Sequence, residues 1–118
     1  MKIQTNIRNT ENPEKIKEQV KKLIPTAELT VNKGKRIIEG EGNFEDIWYK
    51  LKQLKTTKTF LEELKKNKEA DKTTIDLDKL TASTGKPSIY IESATGKITL
   101  KIPWQEIEET CGETLKDK

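Results

Sequence analysis

Asp76 and Asp78 stand two residues apart in "TTIDLD", as Glu39 and Glu41 do in "IIEGEG". At the period of a β-strand each pair falls on one face. Four convergent carboxylates could hold magnesium for phosphodiester hydrolysis. The plainer reading is the wet face of a sheet, and it is favoured because nothing in the spacing brings the two pairs together. Zinc is disfavoured further, since the chain has one cysteine and no histidine. Cys111 therefore has no imidazole to activate it, and it lies in the glutamate-rich "EIEETCGE", which raises a thiol pKa. A small apolar filler beside Ile107 is the better reading. "STGKPS" resembles the end of a phosphate-binding loop, but Leu80 and Pro87 occupy the places that need Gly and Ser/Thr. Without the usual base for neutral pH, these residues point away from an enzyme. No catalytic residue, metal or cofactor is assigned.

The remaining chemistry is cationic. Lys33, Lys35 and Arg36 surround Gly34, and Lys50, Lys52, Lys55 and Lys58 run with no acid between Asp46 and Glu62. Exposed lysines placed this way could neutralise phosphates without reading bases, although a merely solvated helix face fits the charge pattern equally well. The net charge of +3 is small, but it is unevenly spread. Residues 1–70 carry sixteen Lys/Arg against eleven acids, and 71–118 carry seven against nine. That asymmetry favours an anionic partner on one side of the fold.

The elements that must position these groups follow from periodicity. "KIQTNIR" alternates as a half-buried strand. "NPEKIKEQVKKLIP" reads as a helix with Asn12 as N-cap, Pro13 at its first position, Ile16, Val20, Leu23 and Ile24 as its stripe, and Pro25 as its stop. Leu29 and Val31 enter a hairpin that turns at 32–35 and returns through Ile37 and Ile38. Asn43 begins a second helix with Phe44, Ile47, Trp48, Leu51 and Leu54 inward. Thr59 and Glu62 form a capping box for a third, with Phe60, Leu61 and Leu64 inward. "TTIDLD", "SIYIES" and "KITLKI" read as strands, with the last two joined by a turn at Gly96, and Trp104, Ile107 and Cys111 line a terminal helix. The order β-α-β-β-α-α-β-β-β-α gives an α+β fold: one two-layer domain over 1–118, a largely antiparallel sheet with helices on one face. Its core spans about 2–108, with a terminal helix and tail over 104–118.

Between these strands, "LDKLTASTG" places Leu77 and Leu80 three apart in a short helical turn, so Leu80 is expected to be buried and Lys79 to face solvent. Gly85 is expected in a conformation that other residues tolerate poorly. Tyr90 is a candidate exposed aromatic.

Several short motifs are similar to a small archaeal family of uncharacterised proteins, grouped as predicted RNA-binding proteins and sometimes labelled exosome subunits. They are "NPEKI", "LIPTAEL", "IIEGEG", the terminal "GKITLKIPW", and the stretch Leu77, Asp78, Lys79, Leu80, Thr81, Ala82 followed by Gly85. The family's usual Leu-Asn-Lys-Gln-Ala-Ala differs at Asp78, Leu80 and Thr81, and Lys58 stands where it has Arg. The resemblance implies a fold like the large-subunit ribosomal protein that binds 5S rRNA. It also implies a role in RNA processing or translation.

Together these readings lead to a non-enzymatic module binding structured RNA through phosphate contacts. The candidate residues are Lys33, Lys35, Arg36, Lys50, Lys52, Lys55, Lys58, Lys79 and Lys86. The alternative is a protein-interaction or homodimerisation domain with no nucleic-acid role. The lone cysteine and the lack of any run near the roughly 18 apolar residues of a membrane span fit a soluble cytoplasmic protein.

Overall fold

In the computed structural model, which describes residues 1–90 and 96–116, the strands are β1 (Lys2–Asn6), β2 (Glu28–Asn32), β3 (Ile37–Glu41), β4 (Lys72–Asp78) and β5 (Lys97–Pro103). The helices are α1 (Pro13–Leu23), α2 (Phe44–Leu54), α3 (Thr57–Lys66), α4 (Lys79–Ala82) and α5 (Trp104–Lys116). The strands form one antiparallel sheet in the order β2-β3-β1-β5-β4, so the expected α+β class holds.

Alternation along each strand sends one set of side chains to the core and the other to solvent. Ile3, Thr5, Ile38, Ile75, Leu77, Ile98, Leu100 and Ile102 face inward. Against them pack Ile16, Val20 and Leu23 of α1, Phe44, Ile47, Trp48 and Leu51 of α2, and Phe60, Leu61 and Leu64 of α3, in a single apolar cluster. The opposite sheet face carries Lys2, Gln4, Glu28, Thr30, Glu39, Glu41, Thr99 and Lys101, with no core residue among them.

The caps explain the helix ends. Asn12 Oδ1 accepts from Glu14 N at 2.9 Å, and Pro13 occupies the first turn as expected. Asn43 is the N-cap of α2 without a side-chain bond. A carboxylate from elsewhere serves there: Glu106 Oε2 of α5 accepts from Phe44 N at 2.7 Å. Lys55 turns left-handed at the end of α2, so α3 starts at Thr57 with Thr56 as N-cap, ahead of the expected Thr59–Glu62 box. The same turn leaves Leu54 exposed, where an inward position was expected.

Of the expected strand over 88–93, the described residues Ser88, Ile89 and Tyr90 flank β4. Asp78 N donates to Ser88 O, Tyr90 N donates to Asp76 O, and Ile89 makes one isolated bridge with Leu77. The rest of that expected strand, including Ile91, and most of the turn before Gly96 lie outside the described residues.

Candidate nucleic-acid interface

The β2–β3 hairpin ends in a cluster of cations. Asn32 Oδ1 accepts from Lys35 N at 3.1 Å and closes the turn. Arg36, at φ 54°, returns the chain so that its carbonyl accepts from Ile7 N at 2.8 Å. Its guanidinium then donates to Arg8 O at 3.0 Å. Lys33, Lys35, Arg36 and Arg8 are all exposed at this end of the sheet, and none of the four forms an ion pair among the described residues. Arg8 was missed in the sequence. Only the pairing of Ile7 with Arg36, two distant segments, brings it to the tip.

The other candidates separate. Lys52, Lys55 and Lys58 are exposed around the α2–α3 elbow. That elbow borders a groove lined by Leu51, Leu54, Phe60, Pro87 and Ile89, on the side of the edge strand β4. The hairpin tip belongs to the opposite edge of the sheet. Lys50 is half-buried, and its ammonium donates to Lys22 O in the last turn of α1. There it serves the dipole and an orphan carbonyl of α1. Burial holds the Lys50 pKa below its ordinary value, against the opposing charge of Asp46. Lys86 is exposed.

Lys79 and Leu80 reverse the expectation. Lys79 is only 5% exposed and Leu80 is 60% exposed. Lys79 Nζ donates to Asn6 O at 2.7 Å and to Glu11 Oε1 at 2.9 Å, tying α4 to the loop after β1. Lys79 is therefore a structural cation, unable to meet an RNA phosphate from this position. The cause is Asp78, which caps α4: its Oδ2 accepts from Thr81 N at 3.0 Å and Thr81 Oγ1 at 2.6 Å. That cap sets the rotation of a four-residue helix and turns Lys79 inward.

The former phosphate-loop stretch is the end of this helix. Ser83 Oγ donates to Leu80 O, Thr84 Oγ1 to Thr81 O, and Gly85 N to Ala82 O. Gly85 has φ +80°, as expected for a residue closing such a turn. The four carboxylates do not converge either. Asp76 accepts from Thr99 Oγ1 at 2.7 Å and pairs with Lys97 at 3.3 Å, while Asp78 caps α4. Glu39 and Glu41 lie on β3, separated from β4 by β1 and β5.

The large exposed aromatic among the described residues is Tyr49, on α2 near Lys52 rather than at the hairpin tip. Trp48 and Phe60 are buried, as their spacing requires. Tyr90 is half-buried, with Lys97 Nζ 5.9 Å from its ring centroid. Tyr49, at 60% exposure, lies in an acidic groove with Glu45, Glu106 and Glu109. Cys111 is buried, with its thiol directed to Ile107 O at 3.1 Å. No described helix is long and apolar enough to cross a membrane.

The geometry defines a small α+β protein whose five-stranded antiparallel sheet carries all its described helices on one face. No family model and no curated protein matches the chain. Solved structures do share its fold. An uncharacterised UPF0201 protein superposes with a TM-score of 0.77 at 22% identity, over 86% of this chain and 80% of the other. The UPF0201 protein from Methanococcus jannaschii gives 0.74 at 25% identity, over 86% and 79%. A DUF54 protein from Methanothermobacter thermautotrophicus covers 98% of this chain and 93% of its own, with TM-score 0.53 and 18% identity. The structural neighbours are thus uncharacterised archaeal proteins, in accord with the archaeal resemblance of the sequence.

Proposed function

We propose that the protein is a non-enzymatic, cytoplasmic RNA-binding module that grips backbone phosphates, working with RNA-processing or translation machinery. The observation that carries this reading is the hairpin tip, where Arg8, Lys33, Lys35 and Arg36 stand exposed and outside any ion pair among the described residues, Glu11 feeling the charge of Arg8 without forming one with it. Guanidinium groups on a backbone-braced turn suit phosphate, because a planar fork already held in place loses little freedom on binding. The elbow lysines Lys52, Lys55 and Lys58, with Lys86, form a second surface that a long structured RNA would reach separately. The sequence resemblance to an archaeal family of predicted RNA-binding proteins, and the 5S rRNA-binding fold which that resemblance implies, support the same reading by analogy. A tip built of cations without base-reading aromatics fits affinity without sequence preference.

The test is a salt titration with structured RNA. Replacing Lys33, Lys35 and Arg36 together by Glu should weaken binding similarly across unrelated RNAs. The salt slope should fall by about 0.7–0.9 for each phosphate that the variant no longer neutralises. A folded triple variant with unchanged affinity and slope removes the tip as the site.

A further inference from the structure

The uncovered face of the sheet carries a row of charges that forms no ion pair within its own chain among the described residues. Antiparallel register places Glu28 opposite Glu41 and Lys2 opposite Lys101, with Glu41 also opposite Lys2. One row across the sheet thus reads Glu28, Glu41, Lys2, Lys101 on β2, β3, β1 and β5. Two like-charged cross-strand pairs stand side by side, and directly opposed like charges destabilise a sheet. All four side chains are exposed, and none forms an ion pair among the described residues.

We infer that this face binds a second copy of the chain, sheet against sheet, about a two-fold axis running along the strands between β3 and β1. Such an axis keeps each row in place and reverses the strand order. Glu28 then faces the other copy's Lys101, and Glu41 faces its Lys2, each contact occurring twice as an isologous interface requires. The next row agrees. Its order is Thr30, Glu39, Gln4, Thr99, so the same axis sets the Glu39 carboxylate on the Gln4 amide and Thr30 on Thr99. One operator satisfies both rows.

The size of the face sets the strength. Four strands at about 4.8 Å and five residues at about 3.4 Å span roughly 320 Å² in projection, well under the ~800 Å² per partner of stable complexes. The dimer is therefore weak, salt-sensitive and charge-directed. Because the axis runs along the strands, both hairpin tips emerge at the same end. The pairing itself does not depend on whether those tips bind RNA.

Sedimentation of the full chain across concentration, at low and at high salt, tests the pairing. The wild type should self-associate at submillimolar concentration in low salt and weaken at least about tenfold in high salt. K2E/K101E should be monomeric alone, as should E28K/E41K, and an equimolar mixture of the two should form a heterodimer. Circular dichroism melts establish that both variants fold. Wild-type protein that stays monomeric at low salt, variants that associate as the wild type does, or a mixture that remains monomeric would each overturn the inference. The wild-type salt series decides the matter even where a variant fails to fold.

Discussion

Lys79 Nζ and Glu11 Oε1 lie 2.9 Å apart, across 68 positions of sequence, and join the short α4 to the loop that follows β1. The same ammonium bonds the Asn6 carbonyl, so one side chain satisfies two acceptors from the first strand's exit. Its neighbour Leu80 faces solvent. Lys79→Met should therefore lower stability by about 1–3 kcal/mol, since the Asn6 carbonyl and the partly covered Glu11 carboxylate lose a shared, largely desolvated donor. Leu80→Ala should cost under about 0.5 kcal/mol. Urea unfolding of the two variants checks the ranking. A larger loss for Leu80→Ala would mean that α4 is rotated.

Glu11 makes the same link sensitive to acid. Burial pushes its carboxyl pKa up, but the hydrogen bond from Lys79, the Arg8 amide and the charges of Lys79 and Arg8 together hold it below the ordinary 4.5. A depressed carboxyl contributes stability that is complete above pH 4.5 and is lost as pH falls through the lower folded value. Glu11→Gln should flatten the acid side of the urea-midpoint profile while lowering the neutral-pH plateau. An acid limb as steep as the wild type's would assign that dependence to other carboxyls.

Cys111 gives the opposite limb. Burial raises its thiol from 9.0 to about 11, with Lys65 pulling weakly the other way. Between those values the unfolded chain releases a proton that the folded chain keeps, so stability falls as pH rises from 9 toward 11. Cys111→Ala should remove this contribution. Native protein should also react with iodoacetamide at least about 100-fold more slowly than denatured protein. Equal rates would place the thiol at the surface.

How far the sequence carried these conclusions depends on the range of the interaction. Asn12, Pro13 and the stripe of α1 were readable because a cap and a helical face are settled within a few residues. The hairpin turn was readable for the same reason. Lys79 was misjudged because a four-residue helix has too little periodicity to show which side is covered, and its partner Glu11 is remote. The bond of Lys50 to α1 was not legible because its acceptor is a backbone carbonyl on another helix, which no side-chain pattern records. The charge order of the outer face needed strand register, and β1 meets β5 only after almost the whole chain has been threaded.

Gly40 fixes how closely β2 can lie against β3, and its replacement gives the sharpest steric contrast in the hairpin. A Cβ there would fall 1.9 Å from the Glu28 carbonyl oxygen and 2.9 Å from its carbon, a clash with backbone that no rotamer relieves. Gly34, at the turn, has only Asn32 Oδ1 at 3.6 Å. Gly40→Ala should cost about 1–3 kcal/mol by forcing β2 outward, whereas Gly34→Ala should cost under about 0.5 kcal/mol. Hydrogen exchange locates the damage. Amides of β2 bonded to β3 should lose protection in Gly40→Ala, while those between β4 and β5 keep theirs. Uniform loss across the sheet would show that the β2–β3 hairpin unfolds only together with the core.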